Sequence, residues 1–481
     1  MPPSLPSSTR RDLLRSAGAW SAAALGRGLT TGFRAVGGVT AGTLAAGVAR
    51  AGVESPRLGL APLRSCILVF QYGGPSHLET FDPKPLAPDT VRGEFGVIPT
   101  AVPGLFVGEH LPHLARVMDR CALVRSLHHQ ARLHDSASIH MLTGRPLEGP
   151  DRELFAPQPQ FHPCHASAVA KLTKADRAPL PIASLPFKFR NVHDVPAQGA
   201  GFLGLAWDPL WVDVQPEARA YAIDAIKRLD GTTPARTAAR RDLLDKIQPL
   251  PRVENLSLHR QYEPAYRLLT STALEAALDL SREPESIRSA YGYGTVPASD
   301  GSAADLGYAR GMRGQNLLLA RRLVEAGSPF VTVNDFRQQG QNWDAHAKCF
   351  DQHRKILLPE ADRGLATLIA DLESRGLLES TLIVVLGEFG RTPTINGSGG
   401  RDHWPDCFSA MFAGGGAIGG AVHGSSDKLG AYPATDPTTP SDLAATIYWR
   451  FGIDPAAEVH DQTGRPWPLS TGRPLERLFA G

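Results

Sequence analysis

Short continuous apolar runs, each ending in a glycine-rich or polar break, are the first structural signal in the chain. Ser65-Cys66-Ile67-Leu68-Val69-Phe70 leads into Gly73-Gly74-Pro75, the pattern of a strand buried on both faces that opens into a loop. Comparable runs stand at 121–124, 330–333, 382–386 and 408–413. Between them the apolar spacing changes to three and four, which predicts helices at 134–142 (closed by Gly144), 314–326, 357–375 (ending at Gly376) and 441–451. The same spacing recurs at 239–247 and 256–280, within a stretch at 217–291 that reads as a helical insertion. Residues 146–212, rich in Pro and Gly with interspersed aromatics, read as an extended insertion. Strands alternating with helices predict an α/β fold with a mostly parallel central sheet and helices on both faces. Gly414-Gly415-Gly416 has no Lys-Ser/Thr partner of a phosphate loop, so a tight turn is expected there.

The amino terminus has a different character. Thr9-Arg10-Arg11-Asp12-Leu13-Leu14, a weakly apolar stretch at 17–25 and Ala49-Arg50-Ala51 together predict a twin-arginine export signal over 1–51, cleaved after Ala51. The remaining 52–481 is then a single domain in the periplasm or outside the cell. No segment is long and apolar enough to predict a transmembrane anchor. The leader also distorts the charge balance: it holds six arginines against one aspartate, so the formal +2 of the whole chain leaves the remainder about three charges negative. That balance gives no reason to expect a nucleic-acid partner. Five cysteines, odd in number and without a spacing pattern, argue against a disulfide framework.

Chemistry-bearing side chains gather next to the predicted strands. Asp344 and His346 follow the run at 330–333, Glu388 follows 382–386, and Asp402 and His403 lie in the next loop. Carboxylate with imidazole suits a divalent ion of the zinc, calcium or manganese type. Taken singly, each residue serves equally well as a helix cap or an arginine partner. Arg145, Arg391 and Arg401 are candidates for a bidentate clamp on sulfate or phosphate oxygens. Of the adjacent His128 and His129, only one can face a common site if the segment is extended. Trp207-Asp208-Pro209 and Trp211 offer an aromatic platform for a sugar.

Several longer motifs carry a resemblance. Gly73-Gly74-Pro75-Ser76-His77, Thr80-Phe81-Asp82-Pro83-Lys84-Pro85, Leu142-Thr143-Gly144-Arg145 and Gly201-Phe202-Leu203-Gly204 are four of them. Trp343-Asp344-Ala345-His346, Glu388-Phe389-Gly390-Arg391-Thr392-Pro393 and Gly400-Arg401-Asp402-His403-Trp404-Pro405 complete the series. Over residues 60–475 the chain resembles the secreted proteins called domain of unknown function 1501, distant relatives of sulfatases and alkaline phosphatase. The resemblance implies an alkaline-phosphatase/sulfatase-like sandwich with one or two metal ions at the carboxyl ends of the central strands. It makes Asp344, His346 and His403 ligands of one metal and puts Glu388 where the superfamily has an Asp-His pair.

Three departures stand out. Phe389 occupies the place of that pair's histidine, and Gln71 that of the first strand's aspartate, with His77, Glu79 and Asp82 close behind as substitutes. His134 stands where a nucleophilic Cys or Ser is expected, and a shift of two residues brings Ser136 there instead. The resemblance thus implies an exported metal-dependent hydrolase of sulfate or phosphate esters, using metal-activated water or an atypical nucleophile. Its partner would be a small anionic ester or a sulfated or phosphorylated glycan. The alternative is a non-catalytic surface or binding protein that keeps the fold.

Overall fold

The computed structural model describes residues 60–173, 178–215, 220–223, 234–247, 266–292, 304–337 and 342–479. The expected export signal at 1–51 and the helical spacing at 256–265 lie outside them. An eight-stranded sheet forms the centre. In chain order its strands are β1 (Ser65–Phe70), β2 (Cys121–Leu127), β3 (Ala183–Leu185), β4 (Leu210–Trp211), β5 (Phe330–Asn334), β6 (Thr381–Leu386), β7 (Phe408–Gly414) and β8 (Val422–His423). Their spatial order is β8-β2-β7-β6-β1-β5-β3-β4, and all but β7 run in one direction.

Every residue of β1 and β6 is buried, as expected of strands covered on both faces. Alternation divides β1 between two cores: Ile67 and Val69 join one, Cys66, Leu68 and Phe70 the other. On the first face lie α3 (Ala304–Glu325), through Leu318 and Leu319, and α4 (Leu358–Ser374), through Leu365 and Leu368. On the second lie α1 (His134–Thr143), α2 (His165–Leu172) and α5 (Pro440–Arg450). Met141, Val169 and Ile447 are their core contacts. Helix α5 starts at a capping box, with Thr439 and Asp442 each accepting from the other's backbone N–H. The five cysteines are buried and free.

One expectation changes. The Pro/Gly-rich 146–212 supplies α2, the edge strand β4 and its neighbour β3, so it extends the sheet rather than decorating it. Two- and three-residue strands are too short to show a period, which is why the sequence pattern hides them.

Register then fixes where loops emerge. β1 pairs with β6 from Ser65↔Thr381 to Phe70↔Leu386 and with β5 up to Phe70↔Asn334, so all three strands end level. The following loops, carrying Gly73, Asp344 and Glu388, leave one edge of the sheet side by side. β2 runs the same way and delivers α1 to that edge, while β7 starts there after His403.

Candidate metal centre

Asp344 sits in the middle of a cluster built from four stretches of chain. Its Oδ1 lies 3.2 Å from His403 Nε2, 2.9 Å from His346 Nε2 and 2.6 Å from Arg391 Nη2. Its Oδ2 lies 3.4 Å from His134 Nε2, close enough for attraction but not aligned as a hydrogen bond. His134, which is 1% exposed, therefore keeps an Nε2 without a hydrogen-bond partner. Ligand atoms of His134, Asp344 and His403 all fall within 4.8 Å of one another. The exposed His346 adjoins them at the rim, its Nε2 3.0 Å from that of His403.

The far side of each ring fixes which nitrogen faces inward. His403 Nδ1 is 2.7 Å from the Arg132 carbonyl, which can only accept, so Nδ1 carries the proton. His134 Nδ1 donates to Glu388 Oε1 at 2.7 Å, and His346 Nδ1 to Asp402 Oδ1 at 2.8 Å. Carboxylate or carbonyl behind an imidazole is the usual support of a metal-ligating histidine. In neutral rings the Nε2 lone pairs of His346 and His403 then face each other, and that arrangement holds only around a proton or a metal ion. The spacings from the three Nε2 atoms to the Asp344 carboxylate, 2.9 to 3.4 Å, are close to the roughly 3.3 Å between neighbouring ligands of a tetrahedral zinc. On geometry, orphaned nitrogen and donor chemistry, the residues fit a divalent ion.

Electrostatics agree. Burial works against the charge of Asp344, but the three imidazoles around it and the Arg391 charge together outweigh it and hold the carboxyl well below the usual range. Burial also pushes His134 down, yet the carboxylates of Asp344 and Glu388 beside it prevail and carry it up to about 9. Burial lowers His403, while the Asp344 hydrogen bond raises His346.

Two glycines permit the close approach of these loops. A Cβ on Gly73 (φ 113°) would stand 2.5 Å from the Asp344 nitrogen. One on Gly400 would stand 2.1 Å from the His346 carbonyl. Behind the Asp344 loop, Arg313 grips Asp335 through two 2.7 Å bonds, and Asp335 accepts from Trp343 Nε1 at 2.8 Å.

The expected site residues thus sort into three groups. Asp344, His346 and His403 come together, and His134 joins them as a ligand-type imidazole rather than a nucleophile. Glu388 and Asp402 correct to supporting positions behind His134 and His346. His77 and Asp82 do not reach the cluster: His77 Nε2 bonds the Gly430 carbonyl, and Asp82 holds Lys84 and Ser426. Ser136 is not presented as a nucleophile, since its hydroxyl donates to the Arg152 carbonyl and accepts from the Arg152 N–H. Arg145 reaches the Pro468 carbonyl instead.

The arginine clamp also fails. Arg391 spends its donors on Asp344 and the carbonyls of Gly73, Gly74 and Arg401, while Arg401 is buried against Glu79. Sequence reasoning missed Arg132, whose half-exposed guanidinium lies 5.5 Å from the Trp404 ring centre. Of the two adjacent histidines, His129 turns inward, bonding the Glu388 carbonyl at 2.6 Å.

Two predictions arise here. Glu388→Gln should weaken metal affinity roughly 10–100-fold by loosening His134, read by competition with a chelating dye; unchanged affinity would deny Glu388 its supporting role. The second concerns acid. His129 accepts from Ala131 N–H at Nδ1 and donates at Nε2, and His165 likewise bridges the Tyr448 hydroxyl and the Met141 carbonyl, so both rings are locked neutral. Burial pushes each down to about 4. The unfolded chain takes up these protons below about pH 6.5 and the folded one does not, so stability falls on acidification from there toward pH 4. Urea titrations of chelated protein should show a loss of about 1.4 kcal/mol per pH unit for each histidine; a flat profile would contradict the locked tautomers.

Fold and cluster together define an α/β protein with a candidate metal centre at the carboxyl edge of a mostly parallel sheet. The chain belongs to the family described as "Protein of unknown function (DUF1501)", which matches residues 63–479. No curated protein matches it. Among solved structures it is similar to PsFucS1 sulfatase from Pseudoalteromonas sp., at 13% identity over 82% of this chain and 68% of that one, with a TM-score of 0.37. A protein in the alkaline phosphatase superfamily from Vibrio parahaemolyticus gives 10%, 83%, 69% and 0.38 in the same order. The phosphonate monoester hydrolase SpPMH from Silicibacter pomeroyi gives 14%, 86%, 76% and 0.32. At TM-scores this low the likenesses carry no argument about this chain's chemistry.

Proposed function

We propose that the chain is a metal-dependent hydrolase of a sulfate or phosphate ester, exported through the leader at 1–51 and acting as a single domain over 52–481. The observation that carries this reading is the facing pair of Nε2 atoms at 3.0 Å beside the Asp344 carboxylate, with His134 Nε2 orphaned next to it. His134, Asp344 and His403 would hold the ion, with His346 beside the fourth position left open for water. Two imidazoles and one carboxylate favour zinc over calcium, which takes six to eight oxygens. One ion is expected, because Arg391 lies 2.6 Å from Asp344 and the Phe389 ring covers His134 and His403 at centroid distances of 5.0 and 4.5 Å. Bound there, a divalent ion would supply a Lewis acid for an ester oxygen and would lower the pKa of water.

The chain's own groups do the rest. Asp344 supplies the negative charge, and the Arg132 carbonyl orients His403. His346, exposed at the rim and backed by Asp402, is placed to move a proton to or from a leaving group. Arg132, half-exposed and paired through Nη2 with Asp406 at 2.6 Å, has its remaining guanidinium N–H groups for an anionic substrate. Among the described residues no helix is long and apolar enough to cross a membrane.

The test is metal analysis of purified protein followed by a panel of aryl sulfate and phosphate esters. The reading predicts one ion per chain and turnover that is lost on chelation, restored by zinc and retained in Ser136→Ala. Turnover indifferent to chelation would sink it. The commitment of Arg145, Arg391, Arg401 and Ser136 to other partners favours the second reading, a binding protein that holds an ion without turnover; that protein would retain the metal and cleave neither ester class.

A further inference from the structure

A second site lies at the same sheet edge, beyond the metal cluster. A cavity of about 440 Å³ opens where β3 and β4 end, lined among others by Gln158, Gln160, Lys188, Asp194, Trp211 and Gln462. Its walls are braced from behind. The Gln160 amide donates to the carbonyls of His162 and Gly199 and accepts from the Gly199 N–H at 2.8 Å. Gln198 bonds both backbone groups of Phe189, and Asp208 Oδ1 accepts from the Ala200 N–H at 2.6 Å. The loop 199–208 is therefore held in place before any ligand arrives.

We infer that this cavity binds neutral hexopyranose units of a glycan. A sugar hydroxyl both donates and accepts, and carboxamides are the side chains that offer both roles from one planar group. Gln158 and Gln462 present theirs exposed at the mouth. Trp211 at the end of β4 supplies the apolar face on which the C–H side of a pyranose ring lies. Lys188, an exposed residue, sets its Nζ 4.9 Å from the centre of that ring, and a pyranose stacking on this face would displace it. Charge decides against an anionic ligand: among the described residues Lys188 is the one cation on the lining, against the carboxylates of Asp194 and Asp208. The volume falls within the range of small-molecule sites, about 300–1,000 Å³.

The cavity is distinct from the metal cluster. Three strand spacings separate β1 from β4, about 14 Å at ~4.8 Å each, and the cluster sits on the loops after β1, β5 and β6. Saccharide binding there does not depend on metal or on ester hydrolysis.

The full chain is titrated by calorimetry, in chelator, with maltohexaose, cellohexaose, laminarihexaose and mannohexaose. At least one should bind, with affinity falling tenfold or more in Trp211→Ala. Gln158→Ala combined with Gln462→Ala, two exposed positions that leave the fold intact by circular dichroism, should also weaken it. Absence of binding by all four, or binding unchanged in both variants, overturns the inference, as does a sulfated hexasaccharide that binds this cavity more tightly than its neutral counterpart.

Discussion

Asp344→Ala should lose bound metal and ester turnover together, with metal affinity down more than about 100-fold, beyond the loss expected for a supporting residue. The reason is geometric. Asp344 is the one group that meets His134, His346, His403 and Arg391, at 2.6 to 3.4 Å. Without its charge, the imidazoles and the Arg391 guanidinium face one another with no anion between them, and a cation added to that array is repelled. Thermal unfolding in chelator separates this from a folding defect, since the variant should stay folded and simply fail to gain stability when zinc is added. A variant that binds metal like the parent would remove Asp344 from the centre.

Arg401→Met should destabilise the protein by about 3–5 kcal/mol, because it leaves a buried carboxylate alone. Glu79 and Arg401 are each about 1% exposed and joined by bonds of 2.7 and 3.1 Å. Burial is the largest influence and raises the Glu79 carboxyl, but the Arg401 charge and hydrogen bonds, with the other groups around it, together outweigh burial and hold the carboxylate ionised. Arg401 also donates to the carbonyls of Val91, Thr392 and Pro393, tying the loop that carries Asp402 and His403 to the body of the protein. Glu79→Gln combined with Arg401→Met should recover part of the loss, since no unpaired charge remains. Urea denaturation measures both. An Arg401→Met protein of parental stability but lower affinity for anions would mean that Arg401 clamps substrate after all.

These two cases also show what the sequence disclosed. The all-apolar runs of β1 and β6 and the helix pattern of α1, α4 and α5 depend on burial along one element, which periodicity records directly. The ligand types were equally legible: Asp344, His346 and His403 lie beside strands, and the paired strand ends bring them to one edge. What periodicity cannot record is the rank of each group within the site. Glu388 and Asp402 have the same chemistry as Asp344, and only the fold puts them behind an imidazole instead of in front of it. The same holds for Arg391 and Arg401, where a guanidinium near carboxylates reads as a clamp in sequence and becomes a buried brace once its carbonyl partners from 73–74 and 91 arrive. His134 stood out in sequence only through its place in a motif, and it is the fold that sets its Nε2 beside Asp344 and its Nδ1 on Glu388.

The central claim is that side chains from three distant stretches share one cation. Chelator-stripped protein dialysed against zinc and assayed by mass spectrometry of the metal tests it most directly. One ion per chain, retained by the parent and absent from Asp344→Ala, is the predicted result; no retained ion, or two, would contradict it.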